Sequence, residues 1–128
     1  MDAATASKRF LDGLCVLVVE DEAIISFLLE DMLGELGAAA VCHAGTLKAA
    51  LAFLDGRRPD LAVLDVNLGG ERVYPVAEKL DDQGVAFLFT TGYGKSGIEP
   101  RWSAKQVVQK PFNIEIMTAA LRALLAAR

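Results

Sequence analysis

The segment Leu14-Cys15-Val16-Leu17-Val18-Val19-Glu20-Asp21-Glu22 decides the fold of this 128-residue chain. Its apolar residues form a continuous run, which is typical of a strand buried on both faces of a parallel sheet. Beyond Glu22, apolar residues recur at helical spacing up to Gly37, which is placed to end a helix. That stripe consists of Ile25, Leu28, Leu29, Met32, Leu33 and Leu36. A buried strand that leads into an amphipathic helix is the first half of a strand–helix–strand unit.

The same alternation continues to the end of the chain. Further strands are predicted at 38–42, 61–64, 85–89 and 106–108, and helical stripes follow most of them. Pro75 falls in the first turn of the third helix, and Asn113 is placed to cap the last helix. The segment 92–103 is rich in glycine, so any helix there is expected to be short. We therefore predict one α/β domain with a doubly wound, five-stranded parallel sheet.

Composition excludes several classes of protein. Hydrophobic residues make up 53% of the chain, which is enough for a core, and the net charge of −4 gives no general attraction for nucleic acid. No apolar run is long enough to span a membrane, and no signal peptide is visible, so we expect a cytoplasmic protein without membrane insertion. Cys15 and Cys42 lack the spacing of a redox or zinc site and are expected to be buried thiols. We expect residues 1–12 to form a short flexible leader and residues 13–128 to form the domain.

Polar residues follow the predicted strands at the point where each strand ends. These residues are Glu20-Asp21-Glu22, Asp65, Thr90-Thr91-Gly92 and Lys110-Pro111. Because ligands bind at the carboxyl ends of parallel strands, we expect this set to converge on one edge of the sheet. Taken singly, the acids would also be explained as helix caps, and a Lys-Pro pair before a helix is common.

Clustered carboxylates repel one another and require a cation. Hard oxygen ligands favour Mg²⁺, which completes its coordination with water and phosphate oxygens. A hydroxyl group and an ammonium group opposite the metal would hold the remaining phosphoryl oxygens. One carboxylate would then act as the nucleophile and form an acyl phosphate.

Four stretches resemble the receiver domain of the response regulators of two-component signalling. They are VLVVEDE (16–22), LAVLDVNLGG (61–70), FLFTTGYG (87–94) and VVQKPF (107–112). The resemblance implies a flavodoxin-like (βα)5 fold with strand order 2-1-3-4-5. It also implies a stand-alone bacterial response regulator, a phosphoprotein of the phosphorelay type that is not a classical enzyme. The implied partners are a histidine kinase or histidine phosphotransfer protein, and a downstream protein that the sequence does not identify. We expect a monomer or weak dimer.

The resemblance assigns roles to particular residues. Asp65 would be the phosphoacceptor. Asp21 and Asp65 would bind Mg²⁺ (or Mn²⁺) directly, and Glu20 would bind it through a water molecule. Asn67, two residues after the acceptor, would contribute its backbone carbonyl.

The same resemblance assigns the groups that hold the phosphoryl oxygens. Thr91, directly before Gly92, matches the hydroxyl residue of the family, and its neighbour Thr90 is the second choice. Lys110, followed by Pro111, matches the family's lysine.

Val107 departs from the family pattern, because that position is usually Tyr or Phe. The usual switch, in which an aromatic ring turns inward on phosphorylation, is therefore missing. The motif FTTGYG resembles the Phe-Ala-Thr-Gly motif of an atypical alphaproteobacterial subgroup that also lacks the ring. Tyr93 or Trp102 is a candidate replacement, and Tyr93 would lie with Asn67 on the path of a hydrolytic water.

Two other functions remain open from the sequence. Val107 is compatible with a phosphorylation-independent adaptor of the same fold. A small aspartate-nucleophile phosphohydrolase is less favoured, because such enzymes usually carry a DxD-type motif after the first strand and a cap domain. His43, the single histidine, is expected to be a loop residue beside the second strand.

Overall fold

The structure is a computed structural model that describes residues 9–92 and 97–127. Tyr93 and the first part of the predicted leader, residues 1–8, lie outside the described residues. Among the described residues, no helix is both long enough and apolar enough to cross a membrane.

A parallel five-stranded sheet forms the centre of the molecule, with the strand order β2-β1-β3-β6-β7. The strands in chain order are β1 (Cys15–Val19), β2 (Ala40–Ala44), β3 (Leu61–Asp65), β4 (Asn67–Leu68), β5 (Glu71–Arg72), β6 (Ala86–Thr91) and β7 (Val107–Gln109). The strands β4 and β5 form a separate antiparallel pair. When this small pair is set aside, the order of the main sheet is 2-1-3-4-5, so the predicted fold is confirmed.

Helices cover both faces of the sheet. They are α1 (Ala23–Glu35), α2 (Leu47–Leu54), α3 (Tyr74–Gln83) and α4 (Ile114–Ala127). Alternate residues of the central strands pack on opposite faces, so that Val16 and Val18 meet α1 and α4 while Leu17 and Val19 meet α2 and α3. Each fully buried aliphatic side chain of these two layers contributes roughly 1.5–3 kcal/mol. Burial on both faces is the reason that the strands read as continuous apolar runs.

Several local predictions are confirmed. Pro75 lies in the first turn of α3, and the side chain of Asn113 accepts the N–H of Ile116 at 2.9 Å at the start of α4. In the described part of the connection between β6 and β7, the helical structure is a short 3-10 turn at Pro100–Trp102. This agrees with the short helix that the glycine-rich sequence predicted.

The predicted apolar stripe of the first helix is partly wrong. Leu28 was expected in the core, but it is 52% exposed, and it lies beside Ile24 and Phe27, which are 78% and 75% exposed. The core face of α1 contains Leu29 and Leu33, and Ile25 and Met32 pack against the same cluster while partly buried. The helix therefore carries apolar residues on two faces, and only one of them meets the sheet.

Packing begins before residue 13, where the sequence suggested the domain boundary. The side chain of Leu11 is fully buried, and its N–H donates to the carbonyl of Leu36 at 3.0 Å. Asp12 forms an antiparallel bridge with Ala38. Residues 9–12 thus lie against the end of α1.

The two cysteines, Cys15 and Cys42, are free and half-buried. They lie on the neighbouring strands β1 and β2. Burial and the nearby Cys42 raise the pKa of the Cys15 thiol. Both thiols are therefore less buried than the sequence predicted.

Candidate functional site

The topology brings the predicted polar residues to one edge of the sheet. Glu20 and Asp21 lie between the end of β1 and the start of α1, and Asp65 is the last residue of β3. Thr91 ends β6, and Lys110 follows β7 directly. Thr90 and Thr91 both belong to β6, because this strand extends two residues beyond its predicted end at residue 89. All these strands are parallel, so their carboxyl ends meet at the same edge.

Three carboxylates form the centre of this edge. Glu20, Asp21 and Asp65 each place a carboxylate oxygen within 4.8 Å of the others. Glu20 is 1% exposed and Asp65 is 5% exposed, whereas Asp21 faces the solvent. Crowded carboxylates of this kind suit a hard divalent cation, and the exposed Asp21 leaves the cluster open on one side.

Lys110 is the cation that faces the buried carboxylates. Its Nζ donates to both carboxylate oxygens of Glu20, at 3.0 and 3.2 Å, and lies 3.3 Å from Oδ2 of Asp65. Glu22, at the solvent side, is 4.0 Å from the same nitrogen. A single ammonium group therefore serves two buried carboxylates, which leaves an excess of negative charge.

This charge imbalance changes the acidity of the site. Burial and the nearby charge of Glu20 raise the pKa of Asp65 to about 7, and Lys110 only partly opposes the rise. Burial acts to lower the pKa of Lys110, but the hydrogen bond to Glu20 and the charge of Asp65 outweigh it and raise this pKa. Lys110 therefore stays charged, while Asp65 is partly protonated near neutral pH in the absence of a further cation.

A small hairpin that the sequence did not predict approaches Asp21. It consists of β4 and β5, joined by Gly69 and Gly70, which have φ angles of +57° and +93°. The Gly69 N–H donates to Oδ2 of Asp21 at 3.1 Å, and the Gly70 N–H donates to Oδ1 of Asn67 at 3.1 Å. A Gly-Gly pair is a known signal for a two-residue hairpin, so the sequence did contain a clue.

The threonines lie next to Asp65 and Lys110. Thr90 pairs with Asp65 in the register between β6 and β3, and the Lys110 N–H donates to the carbonyl of Thr91 at 2.9 Å. Both threonine side chains are buried. Thr90 Oγ1 has no hydrogen-bond partner within the described ranges. Gly92 and Pro111 follow at the exposed rim.

An aromatic cluster lies on the side of the sheet where Val107 faces. Val107 pairs with Phe89, and the ring of Trp102 meets Phe89 edge-on at 6.2 Å. Trp102 also stacks on Tyr74 at 6.3 Å with an interplanar angle of 4°. The side chain of Trp102 is buried, with 3% of it exposed. The Tyr74 hydroxyl accepts the Glu99 N–H at 3.0 Å, so α3 holds the segment 97–105.

His43 is a residue whose importance the sequence did not reveal. It was expected in a loop, but it lies within β2, and its Nε2 is 2.8 Å from the carbonyl oxygen of Glu20. The sequence pattern contains no signal for this contact, because it joins positions that are 23 residues apart.

A doubly wound sheet with an acidic cluster and a lysine at its carboxyl edge is suited to binding a divalent cation and an anionic ligand. A family model described as "Response regulator receiver domain" matches residues 16–122. The chain belongs to this family.

The chain is similar to several known proteins of this family. It is 29% identical to "Probable chemotaxis protein CheY" of Rhizobium etli over 88% of this chain and 92% of that protein. SdrG from Sphingomonas melonis Fr1 is 39% identical in its solution structure, with a TM-score of 0.75 over 88% of this chain and 96% of that chain. The PhyR receiver domain of Erythrobacter litoralis is 25% identical, with a TM-score of 0.75 over 90% of this chain and 92% of that chain. The chain also spans about half the length of several curated transcriptional regulators.

Proposed function

We propose that this chain is a phosphorylation-dependent switch that accepts a phosphoryl group on Asp65 from a phosphohistidine of a partner protein. The observation that carries the proposal is the position of Asp65. This buried carboxylate ends β3, and it lies 3.3 Å from a lysine ammonium group and within 4.8 Å of two further carboxylates. Membership of the receiver family supports the proposal.

In the transfer step, a carboxylate oxygen of Asp65 attacks the phosphorus atom in line. The P–N bond to the partner's imidazole breaks, and its electron pair returns to the ring nitrogen. The product is an aspartyl phosphate, a mixed anhydride. Dephosphorylation is a separate step, in which water attacks the phosphorus atom and the P–O bond to Asp65 breaks. This step releases inorganic phosphate and regenerates the Asp65 carboxylate. A divalent cation at the site would favour the ionised form of Asp65, which needs no general base.

The donor set fits Mg²⁺ or Mn²⁺. Asp21, Asp65 and the backbone carbonyl of Asn67 would hold the ion, and Glu20 would contribute through a water molecule. The bound ion would neutralise the charge on the transferring phosphoryl oxygens. Lys110 would hold a second oxygen, for which it must turn from Glu20 towards the new phosphoryl group.

The remaining groups would carry the signal outward. Thr91, with Thr90 as the alternative, would move towards the phosphoryl oxygens. A second route leads through the backbone, because Val66 follows Asp65 and its carbonyl accepts the Val73 N–H at 3.0 Å. Val73 directly precedes Tyr74, which contacts the segment 97–105.

The signal would therefore reach the segment 97–105 through the aromatic cluster instead of the missing ring at Val107. Trp102 is buried against Tyr74 and Phe89. A movement of Thr91 would reach its ring through Phe89 on the same strand, and a movement of Val73 would reach it through the adjacent Tyr74. This arrangement is consistent with the proposed likeness to the atypical Phe-Ala-Thr-Gly subgroup.

The phosphodonor is proposed to be a histidine kinase or histidine phosphotransfer protein that docks on α1. Ile24, Phe27 and Leu28 form an exposed apolar face that begins three residues after Asp21. Glu30 and Asp31 border this face. A helix of the partner protein that docks here would therefore combine apolar residues with basic ones. A protein donor uses such a surface, whereas a small metabolite does not.

The wider setting is part of the same proposal. We place the receiver domain at residues 13–128, with residues 9–12 of the predicted leader packed against the end of α1, in the cytoplasm of a bacterium. The chain would act as a monomer or weak dimer on a downstream protein and not on nucleic acid. It would be a signalling domain that promotes its own phosphorylation and dephosphorylation.

Intact mass spectrometry tests the central step. Wild type, Asp65→Asn and the exposed control Asp82→Asn are incubated with acetyl phosphate or phosphoramidate, with Mg²⁺ or EDTA. We expect one added phosphate in wild type and in Asp82→Asn with Mg²⁺, and none in Asp65→Asn. An adduct that persists in Asp65→Asn would refute the assignment of Asp65 as the phosphoacceptor. If wild type forms no adduct with these donors or with a histidine kinase, the phosphorylation-independent adaptor becomes the better function.

A second experiment tests the docking face. Phe27→Asp should slow transfer from a phosphorylated histidine kinase that modifies the wild-type chain, because it places a charge in the centre of the apolar face. It should leave modification by acetyl phosphate unchanged. Ile116→Asp is the matched control, since Ile116 is 50% exposed but lies on α4. Equal slowing by both variants would contradict the assignment of α1.

A further inference from the structure

The main chain of Glu20 is held on both sides by β2. Its N–H donates to the carbonyl of Ala44 at 3.1 Å, and its carbonyl oxygen accepts from Nε2 of His43 at 2.8 Å. The first bond continues the parallel ladder between β1 and β2 by one step. The second bond comes from a side chain.

The reason for the side-chain bond lies in the path of the chain after β2. In a parallel ladder, the next donor to the Glu20 carbonyl would be the N–H of Thr46. Thr46 has instead turned into the N-cap of α2, where its hydroxyl accepts the Ala49 N–H at 3.0 Å. The His43 imidazole supplies the bond that the strand no longer provides.

This carbonyl has a particular position relative to the acidic cluster. It belongs to the peptide unit that joins Glu20 to Asp21, so its direction fixes the plane from which both carboxylates project. On the other side, Gly69 donates its N–H to the Asp21 carboxylate. The two acidic residues are thus held by β2 through His43 and by the hairpin through Gly69.

We propose that His43 is a positioning residue for the divalent cation site, acting through the backbone of Glu20 and not as a ligand. This inference rests on the metal site of the proposed function. Preorganisation of the two acidic residues reduces the ordering that cation binding would otherwise require. Loss of the His43 donor should therefore weaken the binding of a divalent cation even though no ligand atom is removed.

Binding of Mn²⁺, followed by the electron paramagnetic resonance of the free ion, provides the test. His43→Phe keeps a ring of similar size but lacks the donor, whereas His43→Gln keeps an N–H donor. We expect His43→Phe to raise the Mn²⁺ dissociation constant by about 5-fold, the effect of one hydrogen bond. His43→Gln should restore binding to within about 2-fold of wild type. Lys48→Ala, an exposed change on α2, is the control and should bind as wild type does.

The outcomes separate this inference from the function on which it rests. If wild type does not bind Mn²⁺, the metal site and the proposed function both fail. If wild type binds and His43→Phe binds equally well, only the role of His43 is refuted. If His43→Phe has a lower melting temperature but an unchanged Mn²⁺ dissociation constant, His43 is purely structural, and its positioning role is also refuted. If His43→Phe does not fold, His43→Ala replaces it, and failure of both variants to fold counts against a positioning role.

Discussion

Replacing Asp65 by Asn should stabilise the metal-free protein, although it removes a central residue of the site. Burial and Glu20 raise the pKa of Asp65 from 3.8 to about 7. Between these two pH values, the folded protein keeps a proton that the unfolded chain has lost. The free energy of unfolding therefore falls as the pH rises, and the loss is complete only above pH 7.

The size of the effect follows from the same values. A rise from 3.8 to about 7 corresponds to about 4 kcal/mol of destabilisation when Asp65 is fully ionised. The substitution also removes a partner of Lys110, whose Nζ lies 3.3 Å from the carboxylate. We expect the lost contact with Lys110 and the different hydrogen bonding of an amide to cancel about half of this gain in stability. Asp65→Asn should then be more stable than wild type by roughly 2 kcal/mol above pH 8.

Urea denaturation followed by circular dichroism, with EDTA present, measures this difference between pH 4.5 and pH 8.5. The gap between Asp65→Asn and wild type should be small at the acid end and should widen as the pH rises. Asp82→Asn, an exposed change on α3, should show no such trend. A gap that is constant with pH, or that widens towards acid, would refute the reasoning that Asp65 is forced to ionise against burial and Glu20.

Four further outcomes are expected. Mg²⁺ at 100 times its dissociation constant should stabilise wild type by about 2.7 kcal/mol in urea denaturation, and much less at acid pH, where Asp65 is protonated. Lys110→Ala should slow phosphorylation by acetyl phosphate about 100-fold in an intact-mass time course, because a donor to the phosphoryl oxygens is lost, and an unchanged rate would argue against that role. Tyr74→Phe should lower the free energy of unfolding by about 1 kcal/mol, because the hydrogen bond to Glu99 is lost. Trp102→Ala should lower it by about 3–5 kcal/mol, because a buried ring is lost. Urea denaturation measures both changes, and equal changes would contradict the packing described for Trp102.

The features that the sequence predicted are those encoded by local pattern. A strand buried on both faces must be continuously apolar, so Val16–Val19 and Leu61–Leu64 were visible as strands without any structure. Because the carboxyl ends of parallel strands meet at one edge of the sheet, the acidic residues after β1 had to lie near Asp65 at the end of β3. The fold and the composition of the acidic cluster follow from these two facts.

The features that the sequence missed depend on contacts between distant parts of the chain. The spacing of Leu28 fits the core stripe, but the rotation of α1 against the sheet is set by Leu29 and Leu33, which leaves Leu28 outside. Trp102 lies in a glycine-rich segment that predicts little packing, and its burial depends on Tyr74 in another helix. His43 likewise acquires its partner only when β2 pairs with β1.

Trp102 gives the protein an internal optical reporter. It is the only tryptophan of the chain, so the tryptophan emission of the whole protein originates from one ring of the segment 97–105, stacked against α3. Tyr74 is stacked on that ring at 6.3 Å and can transfer excitation to it. A change in emission wavelength, or in quenching by acrylamide, therefore follows the segment without any attached dye. A spectroscopist can watch this part of the molecule in real time while a phosphodonor is added in the stopped-flow cell.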